Sequence, residues 1–119
     1  MVSVHARLGV AVILVAVIGA GLVLVARARP DALPTVRVFV RLCTAAAALE
    51  AVIGIVLLIL GNRPSEGIHF FYGAATVVPV PLAGLLGRGA RPGDETWYLL
   101  AGVAATALFG LRAVTTGAS

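Results

Sequence analysis

Ala45-Ala46-Ala47-Ala48-Leu49-Glu50-Ala51-Val52-Ile53-Gly54-Ile55-Val56-Leu57-Leu58-Ile59-Leu60 is a continuous apolar run broken by one carboxylic acid. With the residues from about Val38 ahead of it, the run reaches the roughly 20 apolar residues that a membrane-spanning helix needs. Apolar residues follow one another without the alternation of a strand. Lipid also demands that backbone groups be satisfied within the segment, so the run is read as a helix. A carboxyl placed in hydrocarbon is costly, which makes Glu50 a functional-site hypothesis by default.

Outward from this run the same pattern recurs. Apolar segments are read at about 8–26, 38–60, 68–86 and 96–114. Their connectors carry Arg-Pro at Arg29-Pro30, Arg63-Pro64 and Arg91-Pro92, which anchor a helix end and stop it. Thr35 and Asp94 are read as N-caps of the second and fourth helices. Among 119 residues, 61% are hydrophobic and 12% charged, against about 25% charged in soluble domains. A chain this short could not hide that surface in a soluble core. The expected fold is all-α: a polytopic membrane protein with four transmembrane helices in an antiparallel bundle, forming one domain over 1–119.

The net charge is +4, and every basic residue is Arg. Their position at segment ends fits helix orientation and anionic headgroups better than nucleic-acid binding. The arginine-rich composition suggests a GC-rich, bacterial gene. Arg7, Arg63 and Arg112 fall on one side; Arg27, Arg29, Arg37, Arg41, Arg88 and Arg91 fall on the other. The positive-inside rule therefore expects a multi-pass protein of the cytoplasmic (inner) membrane with both termini extracytoplasmic. The lone Cys43 rules out an intramolecular disulfide and is read as a packing residue.

Helical rise sets depth. Tyr72, Thr76 and Thr106 come near the level of Glu50, and Arg112 lies within reach if it turns inward. These five residues are expected to form one polar intramembrane cluster. There Glu50 acts either as a proton site or as a hydrogen-bonding strut. Pro79 and Pro81 are expected to kink the third helix and free the carbonyls of Ala75 and Val77. Gly102, Thr106 and Gly110 recur at four-residue spacing and are expected to admit a tight helix contact. His69, His5 and Glu66 are weak candidates for a metal or haem site, which needs converging ligands. No cofactor is expected. The chain holds no nucleophile elbow, zinc-protease motif or phosphate loop, so no enzyme chemistry is expected.

Leu49-Glu50-Ala51-Val52-Ile53-Gly54 resembles the acid-bearing helix of the small multidrug resistance exporters. The resemblance implies a proton-coupled exporter using Glu50. That family carries its acid in the first helix, however, whereas this chain carries it in the second. Three roles are thus expected in descending order. The first is an accessory or structural subunit that contacts lipid and other membrane subunits or copies of itself. The second is the proton-coupled transporter. The third is a haem- or quinone-associated electron-transfer subunit.

Overall fold

A computed structural model describes residues 2–61 and 67–117. Helix α1 (Val2–Ala28) leads through a 3-10 turn (Pro30–Ala32) into α2 (Leu33–Ile59). The third segment is divided into α3 (His69–Ala75) and α4 (Pro79–Leu86), and α5 (Pro92–Gly117) closes the chain. The four spans Ser3–Ala28, Pro30–Ile59, His69–Leu86 and Asp94–Thr116 are long and apolar enough to cross a membrane. The molecule measures 47 × 21 × 18 Å, and its long axis is close to the roughly 40–45 Å of a bilayer with its headgroups.

Helices α1 and α5 overrun their apolar stretches at both ends, and α2 overruns its own at the start. Nothing in Ser3–Arg7 or Arg27 breaks a helix, so α1 continues until the chain meets Pro30. Helix α2 starts at Leu33, which places Thr35 inside the first turn and leaves the cap position to Ala32, without a side-chain cap. Helix α5 starts at Pro92, the favoured residue at a first helical position. Asp94 is therefore not its cap, and Asp94 and Glu95 sit in the first turn, where negative charge suits the dipole. The break in the third segment is the work of proline. Pro79 opens α4 and offers no amide to the preceding turn, so α3 ends at Ala75 and Thr76–Val78 form a turn.

Helix α1 packs against both α2 and α5, while α3 and α4 pack against α5. Along each pair, residues meet in descending against ascending order. Gly19 faces Phe39 and Cys43 while Gly54 faces His5; Arg27 bonds Thr96 while Gly110 faces Ile13. Helix α2 buries Leu33, Val36, Val40, Cys43 and Ala47, the three-and-four spacing of one helix face. Its first half enters a core shared with Val23, Ala26, Val80, Leu99 and Val103. The sequence repeats Ala-Val-Ile-Gly at 16–19 and 51–54, and both terminal glycines face the partner helix of the α1–α2 pair.

Small residues bring the helices close. A Cβ on Gly102 would stand 2.9 Å from the Cβ of Ala83 and 3.1 Å from the carbonyl oxygen of Pro79. A Cβ on Gly110 would stand 3.1 Å from Ile13. Gly102 is thus where α5 meets α4, and Gly110 is where it meets α1. Cys43 is buried, and its thiol lies 3.5 Å from the carbonyl of Val15.

Candidate functional site

The polar groups expected to gather around Glu50 are divided between two places. Thr76, Thr106, Tyr72 and Arg112 belong to the α3–α5 contact. The missing amides of Pro79 and Pro81 concern the carbonyls of Ala75 and Val77; between those two, at the break, the Thr106 hydroxyl donates to the carbonyl of Thr76 at 3.3 Å. The Thr76 hydroxyl turns back to Gly73 at 2.7 Å. Arg112 is exposed, with its guanidinium 5.5 Å from the centre of the Tyr72 ring. This arrangement needs no acid. The threonine bond ties the break in the third segment to α5, and Arg112 rests on an aromatic face.

Glu50 faces α1 instead. Its Oε1 lies 2.8 Å from Nδ1 of His5, with the two side chains 17% and 19% exposed. The approach is short but not aligned as a hydrogen bond. Among the described residues, neither His5 Nδ1 nor the buried Oε2 of Glu50 has a hydrogen-bond partner. The physical reason for the difference from the expected cluster is the stagger of the helices: Gly9 of α1 faces both Glu50 and Val114, so Glu50 lies level with Val114, about two turns from Thr106, and beside His5 of α1.

Two glycines make room for the pair. A Cβ on Gly9 would stand 3.2 Å from Oε1 of Glu50, and a Cβ on Gly54 would stand 3.1 Å from Cε1 of His5. Each polar side chain thus lies over a glycine of the opposite helix, one turn from the other polar residue. The signal was present in the sequence as His5 with Gly9 and Glu50 with Gly54, both at the i, i+4 spacing that shares a helix face. Neither glycine is singled out in the sequence for this role, and His5 is read there only as a weak metal or haem candidate.

His69 joins the same end of the molecule. Its ring stands edge-on to His5, with centroids 6.0 Å apart. Its Nδ1 lies 2.6 Å from the carbonyl oxygen of Ala113. A carbonyl only accepts, so Nδ1 carries the hydrogen and Nε2 is left free of that bond. Ala113 lies near the C-terminal end of α5, where the dipole is negative, and its carbonyl also accepts from the Thr116 hydroxyl at 3.2 Å. His5, Glu50 and His69 therefore tie α1, α2, α3 and α5 together at one end. Among the described residues, no group of three or more His, Cys, Asp or Glu side chains is placed to hold a metal ion. Glu66 lies outside the described residues.

The opposite end is built from arginine. Arg37 makes two bonds to the carboxylate of Glu95, at 2.5 and 2.6 Å. Arg27 lies 3.9 Å from the centre of the Trp97 ring and donates to the Thr96 hydroxyl at 2.9 Å. These contacts fasten the end of α1 and the start of α2 to the start of α5. No spacing in the sequence announces them; they follow from which helix ends share a side.

Set beside known protein families, curated proteins and solved structures, the chain matches none.

Proposed function

We propose that this chain is a multi-pass integral membrane protein, an antiparallel four-helix bundle that serves as an accessory or structural subunit of a larger membrane assembly. The observation that carries the reading is the division of α2. Its inward row packs tightly, while Val38, Leu42, Leu49, Val52, Ile55, Val56 and Ile59 are all exposed. Such a face suits lipid and neighbouring helices and would be a liability in water. The arginine asymmetry supports an inner-membrane orientation with both termini outside the cytoplasm.

The test is extraction followed by native sizing. The chain should resist carbonate extraction, and in mild detergent it should migrate in a species far larger than its 12.1 kDa. Purification as a monomer or small homo-oligomer under those conditions would overturn the subunit reading.

A second reading is favoured by one observation, the approach of His5 to Glu50 beside His69. A carboxyl and an imidazole in contact at the edge of the apolar span can exchange a proton over a short path. On this reading the pair is a proton-handling site of a coupled transporter, and Glu50 accepts or releases the proton against His5. Activity that tracks pH in the native protein and loses that dependence in Glu50→Gln supports it. Full retention of the dependence rejects it.

A further inference from the structure

Helix α3 is the least anchored helix of the bundle. It runs for 7 residues and buries none of them. The turn Thr76–Val78 joins it to α4, where Pro79 withholds an amide from the preceding turn. Its packing is on α5. There the Thr76 carbonyl accepts from Thr106, the Tyr72 ring stands 6.4 Å from that of Phe109, and His69 bonds the carbonyl of Ala113. Among the described residues α3 has no comparable packing on α1 or α2. It reaches α1 through His69, whose ring meets His5 edge-on. A short helix with no buried side chain and a break at one end opens at low cost.

What His69 meets depends on charge. His5 touches Glu50 of α2 and His69 of α3, and one carboxylate neutralises one imidazolium. A proton on His5 is therefore accommodated against Glu50. A further proton, on His69, sets two imidazoliums edge-on with centroids 6.0 Å apart, and like charges this close in a partly desolvated site repel. The other charged groups at this end do not offset it. Arg7 of α1 and Arg112 of α5 are exposed and positive, and Arg112 stands over Tyr72 of α3 itself. Among the described residues α2 contributes only Glu50 here. The Ala113 carbonyl accepts from Nδ1 of His69 in both charge states. Helix α3 thus keeps its hold on α5, and the seam that parts is the one against α1.

We infer that α3 is an acid-released lid on the His5–Glu50 pair: with one proton on the pair it stays closed, and a further proton on His69 parts it from α1 and opens the pair to water. The open form takes up the extra proton, so opening increases as pH falls. This deepens the proton-handling reading, on which its use as an access gate rests.

The test measures the distance between α1 and α3 in the purified full chain in phosphatidylcholine vesicles. Spin labels are placed at Val4→Cys and Phe71→Cys, both exposed positions, in a Cys43→Ala background. Pulsed electron resonance is read at about pH 8 and about pH 5, on either side of the ordinary histidine range. The fraction of long distances should rise about tenfold on acidification. A second pair, Val4→Cys with Ile55→Cys on α2, should not move. His69→Gln keeps a donor for the Ala113 carbonyl but takes up no proton, so it should hold the short distance at both pH values. His5→Gln, which removes the facing charge, should do the same. An α1–α3 distance that ignores pH overturns the inference, as does a pH response that survives His69→Gln. Movement of both label pairs together is general loosening and overturns it too. Activity that loses its pH dependence in Glu50→Gln while α3 stays fixed overturns the lid alone. An α3 that opens with acid, in a protein whose activity keeps its pH dependence in Glu50→Gln, supports the lid and overturns the proton-handling reading.

Discussion

Glu50 and His5 occupy each other's glycine notch: Oε1 of Glu50 lies 2.8 Å from Nδ1 of His5, over Gly9, while the His5 ring lies over Gly54. The pair ties the first turn of α1 to the second half of α2, where beyond Glu50 Leu57 is the one buried residue. Coupling of the two side chains is therefore expected to be measurable. His5→Ala and Glu50→Gln, combined in a double-mutant cycle followed by thermal unfolding in detergent, should show an interaction of about 0.5–2 kcal/mol. Additive effects would mean that the two groups merely share a neighbourhood.

The glycines supply a second prediction, because they differ in what surrounds them. At Gly102 the neighbours of an added Cβ are the Cβ of Ala83 and backbone atoms of Pro79 and Val80, none of which can rotate away. Gly102→Ala should destabilise by about 1–3 kcal/mol, and Gly102→Leu should disrupt the bundle or its assembly. Gly21 has nothing within 4 Å of an added Cβ, so Gly21→Ala should be neutral or stabilise by up to about 1 kcal/mol. Unfolding curves that move equally for both would refute the close approach at Gly102.

Gly54→Ala acts on the candidate site. The atom it would press on is Cε1 of His5, at 3.1 Å, on a side chain that can swing aside. Little change in melting temperature is expected, together with loss of the His5–Glu50 approach, read as loss of the coupling energy in the same cycle. Retained coupling would show that the notch does not position the ring.

The bond that ties the break in the third segment to α5 predicts an asymmetry between isosteres. Thr106→Val removes the hydroxyl that donates to the Thr76 carbonyl and leaves that buried oxygen unpaired. A loss of about 1–2 kcal/mol follows, whereas Thr106→Ser should retain most of the stability. Equal losses for Val and Ser would point to packing of the methyl group instead.

Orientation is open to labelling. Single cysteines at Ala32 and Ala90 should resist an impermeant thiol reagent in intact cells, and buried Cys43 should stay silent. Reaction of both sites from outside would invert the proposed topology.

The four apolar segments were legible from the sequence alone, because length and continuous hydropathy are local properties that survive without knowledge of packing. The break at Pro79 was legible for the same kind of reason: a missing amide acts on its own turn. Helix ends were less so, since hydropathy marks where hydrocarbon ends and the backbone continues until a breaker such as Pro30. The partner of Glu50 was decided only by tertiary structure. Helical rise counted from segment ends puts Glu50 level with Thr76 and Thr106, whereas the stagger of the packed helices sets it level with Val114 and beside His5. Helix α2 lies against α1 along that half, and two small residues, Gly9 and Gly54, admit the carboxyl and the ring.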